Sequence, residues 1–284
     1  MLRIGIIGTE SYHSDAFIDL LQNRRDAALT AIWGENDESS KKLAEKYGLD
    51  CFVNSPADMV GEIDAVMVTL RDGAAHLEAV RPFIGHNIAV WVSKPFTVSV
   101  RDAKELLSLF KENHTIFSGG TCIKMSAQLK DLKQRVQALG NDCLSGYMAY
   151  WTYLEGPYSG MHFYSHHLIE SVLHVFGLGV RSVFAKRSGE SLAVTAAYDS
   201  FNVLMNYGVK TQPLHAGVFG QNSSFMTEYS ADDGLKLQLE EFISAIYSGK
   251  SPYTPEFFLM AVKICNAIEM SMAKKREVYL TEVE

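Results

Sequence analysis

The chain has 284 residues, 47% of them hydrophobic and 21% charged, with a formal net charge of -7. That length exceeds one mixed α/β unit of ordinary size, so two domains are expected, and an acidic balance without any basic run argues against nucleic acid or an anionic membrane as the main partner. The cysteines Cys51, Cys122, Cys143 and Cys265 form no CxxC pair, and no apolar run approaches the roughly 20 residues that span a bilayer, so a soluble, unprocessed, cytoplasmic protein is expected.

In chain order, Leu2 to Ile7 reads as a strand that ends in Gly8, and Asp15 to Leu21 has helical spacing. Leu29 to Trp33 is the next strand, followed by a helix from Glu38 to Tyr47 closed by Gly48. Ala65 to Leu70 is a strand with Ala74 to Ile84 as its helix. Ile88 to Val92 is a buried strand, Ser99 to Asn113 a helix, and Thr115 to Phe117 a short last strand. This alternation predicts a doubly wound parallel sheet over residues 1–120. Lys94 stands at the carboxyl end of the Ile88 to Val92 strand with Pro95 behind it, where ligands of open α/β sheets bind. An active-site lysine and a solvated strand-end lysine both fit that position.

Residues 121–284 change rhythm. A helix from about Ser126 to Leu139 is followed by the strand-like run Leu144 to Leu154 and a helix from about Met161 to Phe176. Four strand-like runs near Val183, Val194, Val203 and Val218 come next, with turns between them, and consecutive strands of that kind pair antiparallel. Helices from about Leu235 to Tyr247 and Pro255 to Lys274 are expected to complete this α+β domain.

The helix Met161 to Phe176 carries a second constellation. His162, His166, Glu170 and His174 recur every four residues along one face, while His167 lies about 100° away beside Glu170 and Ser171. Three readings stand: a metal site on His162, His166 and Glu170, histidines making ordinary hydrogen bonds, or a catalytic His167. An HxxxH helix needs a further ligand from elsewhere and none announces itself, so no metal ligand is assigned.

Several motifs together resemble the Gfo/Idh/MocA family of NAD(P)-dependent oxidoreductases. Asp64-Ala65-Val66, Ala75-His76 and Ser93-Lys94-Pro95 are similar to the family's "DAV...H...EKP" sequence, with Ser93 for glutamate. Ser165-His166-His167-Leu168-Ile169-Glu170, running on to Gly177, resembles "GxHxxD...G", with Ser165 for glycine and Glu170 for aspartate. The tail around Phe242-Ile243 and Gly249-Lys250 also looks like the family's closing segment. The resemblance implies a Rossmann-like N-terminal domain and a C-terminal domain on an open, mostly antiparallel sheet that binds substrate and oligomerises.

It also implies chemistry: hydride exchange between a nicotinamide and a hydroxyl or keto carbon of a sugar, polyol or related small molecule. Lys94 would orient the hydroxyl and His167 would take its proton, with Tyr164 and Glu170 holding His167 in one tautomer. The cofactor would meet Gly8, Thr9, Glu10, Ser11, His13, Trp33, Glu35, Arg71, His76, Ser93 and Lys94. Two departures accompany the match. Glu10 and His13 replace the second and third glycines of G-x-G-x-x-G, and Phe163 stands where the family commonly has an aspartate. Glu35, with no basic residue until Lys41, favours NAD over NADP, and the altered loop implies weak binding. A noncatalytic ligand-binding relative and a metal-dependent enzyme using the histidine helix are the alternative readings. Apolar side chains on both faces of Leu144 to Leu154 imply a homodimer or homotetramer.

Overall fold

Five short apolar runs form one parallel sheet in the computed structural model, which describes residues 1–284. They are β1 (Leu2–Ile7), β2 (Ala27–Trp33), β3 (Ala65–Val68), β4 (Ala89–Val92) and β5 (Phe117–Gly119), in the order β2-β1-β3-β4-β5. β3 and β4 are buried along their whole length, as expected for strands covered on both faces. The helices are α1 (Tyr12–Gln22), α2 (Asp37–Tyr47), the short α3 (His76–Val80) and α4 (Val100–Glu112). The Ser11 side chain caps α1 by accepting from Ser14 N–H, and Asn36 caps α2 in the same way. The single helix expected from Ala74 to Ile84 is instead α3 flanked by the 3-10 turns Gly73–Ala75 and Arg81–Phe83, since Pro82 has no N–H to continue an α-helix.

This first unit comprises Met1–Thr97, Asp102–Gly119 and Leu235–Thr254. Gly119 and Gly120 fall in different units, and the segment Leu235–Thr254, with its closing helix, returns to the first. Helix α5 is Ala127–Leu139, α6 is His162–Phe176 and α7 is Gly234–Ser248. Helix α7 adds Leu239, Phe242 and Ile243 to the core built by Ile4, Phe17, Ile32, Met67 and Trp91. Its apolar stripe is what completes that core.

The second unit comprises Val98–Arg101, Gly120–Gly234 and Pro255–Glu284. Its strands are β6 (Cys143–Trp151), β7 (Ser182–Ser188), β8 (Ser191–Ala197), β9 (Asn202–Gly208), β10 (His215–Gly220), β11 (Ser224–Glu228) and β12 (Val278–Tyr279), ordered β11-β10-β6-β9-β8-β7-β12. Every pairing is antiparallel except β6 with β9. The antiparallel expectation holds for β7, β8 and β9 but not between β9 and β10, because β6 inserts between them. Helix α8 (Pro255–Lys274) packs on β7, and α6 packs on β6 and α8. Met148 and Tyr150 of β6 turn to the covered side, while Tyr147 and Trp151 stay half-buried. No helix is long and apolar enough to cross a membrane.

Candidate functional site

At the carboxyl ends of β1 and β3 the strand order reverses, which is where open α/β sheets bind ligands. Gly8 leaves β1 with φ +107, and a Cβ there would lie 2.8 Å from Leu70 N, so this tight turn admits only glycine. Ser11 then opens α1, an 11-residue helix whose first amides have no intrahelical acceptor. Glu35, at the end of β2, accepts a hydrogen bond from Thr9 N–H at 2.9 Å. Beside it Thr9 Oγ1 lies 2.7 Å from Ser39 Oγ. Trp33 is half-buried, and Glu10 is exposed, so its carboxylate stays in solvent rather than filling the loop.

Ser93 and His13, each a departure from the resembled pattern, touch each other. His13 Nδ1 lies 2.8 Å from Ser93 Oγ, and its ring stands edge-on to Phe17 and Trp91. An imidazole thus occupies the place where a glycine would let helix and sheet approach. Burial, then the nearby Lys94 charge, lowers the His13 pKa to about 3, so it is neutral near pH 7. Lys94 itself is buried, only 5% exposed, behind Ser93 and before Pro95. His76, expected to meet the cofactor, is fully buried with Nε2 3.0 Å from Leu70 O and Nδ1 3.2 Å from Phe96 O. Its two ring nitrogens face backbone carbonyls that follow β3 and β4, and the neutral ring donates to one of them. Arg71 is half-buried beside Leu70.

In the second unit His167 is 5% exposed and its Nδ1 lies 2.6 Å from Thr121 Oγ1. Thr121 also receives Ile123 N–H through that oxygen, and its own N–H donates to Glu170 Oε2 at 2.7 Å. Thr121 thus pairs with the His167 ring through its side chain and with Glu170 through its backbone. Glu170 is fully buried 3.8 Å from Lys124 Nζ and 3.8 Å from His166 Nδ1. Burial raises its pKa, but His166 and Lys124 outweigh burial and hold it below the ordinary carboxylate range. Gly120, at φ +77, lets the backbone approach this carboxylate, since a Cβ would lie 2.1 Å from Glu170 Oε2.

Tyr164 contributes an aromatic wall beside His167. Its ring centroid is 6.0 Å from His167, 4.1 Å from Trp151 and 4.5 Å from Phe163, and Tyr150 lies 5.1 Å from His167 on the other side. Phe163, at the family's aspartate position, also packs on Tyr158. Thr121 and the β6 aromatics carry no motif of their own, so spacing along the chain could not single them out.

The donor set of the first unit fits a dinucleotide: a tight glycine turn, the amides opening α1 for a pyrophosphate and the Glu35 carboxylate for a ribose hydroxyl. One qualification is built into the loop, because Thr9 N–H already has Glu35 as its acceptor. Comparison with known proteins agrees with this reading. Residues 2–121 match the oxidoreductase family model with an NAD-binding Rossmann fold. An uncharacterized oxidoreductase of Streptococcus pneumoniae serotype 4 is 27% identical over 126 residues, which is 42% of this chain and 32% of that protein's length. A probable dehydrogenase from Thermotoga maritima superposes with a TM-score of 0.87 at 20% identity, covering 100% of both chains. The scyllo-inositol dehydrogenase from Lactobacillus casei with bound NAD(H) and scyllo-inositol superposes with a TM-score of 0.82 at 14% identity, covering 99% of both. Residues 2–121 thus match the GFO_IDH_MocA oxidoreductase family model, and the chain as a whole shares its two-domain fold with solved dehydrogenases.

Proposed function

We propose that this protein is an NAD-dependent dehydrogenase acting on a hydroxyl or keto carbon of a sugar, polyol or related cyclic small molecule. The observation that carries the reading is His167, buried and held through Nδ1 by Thr121, on a helix whose neighbouring rings form a wall for a substrate. A bound nicotinamide would supply the hydride acceptor. With Nδ1 engaged by Thr121, Nε2 is the nitrogen assigned to take the hydroxyl proton as general base. Lys94 orients the substrate oxygen by donating a charge-assisted hydrogen bond, as the family resemblance implies. Tyr150, Tyr164 and Phe163 favour a substrate that offers an apolar ring face, with Phe163 replacing a polar contact by an apolar one. None of the four cysteines is in a disulfide, which suits a reducing cytoplasm.

Glu35 supports NAD over NADP, since it accepts from a ribose hydroxyl but repels a 2'-phosphate. Binding is weak in this reading because Thr9 N–H is shared with Glu35. Calorimetric titration with both nucleotides, followed by a turnover screen of sugars and polyols, is the test. NAD is expected to bind more tightly than NADP, and Lys94→Ala and His167→Ala are expected to abolish turnover with unchanged melting. Tight NADP binding would reverse the cofactor assignment. Wild-type turnover in either variant would remove the assigned roles, and no binding of either nucleotide at millimolar concentration would favour a noncatalytic relative, the reading that Phe163 and the occupied loop amide support.

A further inference from the structure

Helices α6 and α8 bring three metal-ligating side chains together away from the His167 wall. His162 and His166 are one turn apart on α6, and Cys265 comes from α8. One ligand atom from each lies within 4.8 Å of the other two. His162 is 3% exposed, and His166 and Cys265 are fully buried.

Nδ1 of His162 and both ring nitrogens of His166 have no hydrogen-bond partner. Buried polar atoms are rarely left so, and three at one point ask for a ligand. Glu269, one turn beyond Cys265 on α8, accepts from His162 Nε2 at 3.0 Å. A carboxylate can only accept, so Nε2 carries the hydrogen and the lone pair sits on the unpartnered Nδ1. A carboxylate orienting a histidine through its far nitrogen is the usual outer support of a metal ligand.

We propose that His162, His166 and Cys265 bind one zinc ion that clamps α6 to α8. Two imidazoles and a thiolate are a donor set that zinc prefers to magnesium or calcium. Ligands at roughly 2.0–2.3 Å from a tetrahedral ion lie about 3.3–3.8 Å apart, so the side chains need close by no more than about 1.5 Å on binding. Cys265 binds as the thiolate, its proton released as the metal enters. The dication, the thiolate and the adjacent Glu269 leave no net charge in the helix interface. Because His166 immediately precedes His167, the ion would also hold the turn of α6 that carries the proposed base. The fourth position remains for a water.

The inference rests on the α6–α8 geometry and not on the dehydrogenase reading. Tag-free, full-length protein is stripped with a chelator and titrated with Zn2+ against a chromophoric chelator, and with Co2+ by absorption. One equivalent per chain is expected, with a near-ultraviolet thiolate-to-cobalt band. Cys265→Ser, nearly isosteric, should lose that band and weaken zinc by more than the roughly 10- to 100-fold that Glu269→Gln should cost through the outer shell. Melting curves without metal check that both variants fold. Zinc lost to the chelator at micromolar concentration, a cobalt spectrum without the thiolate band in the unmodified protein, or unchanged stoichiometry in Cys265→Ser would each overturn the site. The unmodified protein's cobalt spectrum decides the matter even if a variant fails to fold.

Discussion

Thr121 and His13 show how single side chains set the chemistry of each unit. Replacing Thr121 by Val removes the acceptor for His167 Nδ1 and for Ile123 N–H. Turnover should fall by about 10- to 100-fold, equivalent to about 1.4 to 2.7 kcal/mol. The alkaline or acid limb of the pH–rate profile should move while nucleotide affinity stays unchanged, and calorimetry beside initial rates checks both. His13 supplies a pH dependence of stability. It titrates near 6.5 in the unfolded chain and near 3 when folded, so the unfolded state binds the extra proton in between. Its contribution is complete above about pH 6.5 and is lost as pH falls towards 3, with about 2.5 kcal/mol lost between pH 7 and pH 4.5. His13→Gln should shrink the stability difference between pH 7 and pH 4.5 by about that amount, measured by urea unfolding. Motif spacing singled out Lys94 and His167 as candidates. Thr121 was not, because its role exists only where the turn after β5 meets α6.

At the scale of elements, α7 is the segment whose place differs from its position in the chain. Sequence order assigns Leu235 to Tyr247 to the second domain, yet Leu239, Phe242 and Ile243 belong to the first core. A fragment of residues 1–120 should therefore lack a cooperative thermal transition, whereas the full chain has one, as circular dichroism would show. Phe242→Ala, at a fully buried position, should cost about 3–5 kcal/mol. Helix α6 shows the opposite case: its boundaries and its histidines were evident from composition and period. What periodicity could not supply was the partner of each face, so Glu170 was paired with His167 although it lies against Thr121 and Lys124. Cys265, about a hundred residues downstream of the histidines, carried no spacing signal at all.

For the whole molecule, the unit 2 sheet leaves one face without helices. Phe184, Thr195, Leu204, Tyr147, Gly217 and Met226 lie in register across six strands. Phe184, Leu204 and Met226 are 43%, 41% and 47% exposed. A row of that kind on a monomer usually marks an interface, and we propose that two copies pair through it. Sedimentation velocity at micromolar concentration should give a dimer or tetramer mass. Phe184→Glu combined with Leu204→Glu should give a monomer with little change in fold, because both side chains already face outward. A monomeric mass for the unmodified protein would refute the pairing.

Local order determined what the amino-acid sequence could reveal. Apolar runs, capping residues and glycine turns act over a few residues, so the β/α alternation of residues 1–120 and the helix over 162–176 were readable from it. Insertion of β6 between β9 and β10, transfer of α7 to the first core, the His13–Ser93 contact and the meeting of His162, His166 and Cys265 were decided only by tertiary structure. Each depends on packing between segments far apart in the chain. Hydrophobic burial is non-directional, so a single apolar stripe or imidazole face does not specify which distant surface will cover it.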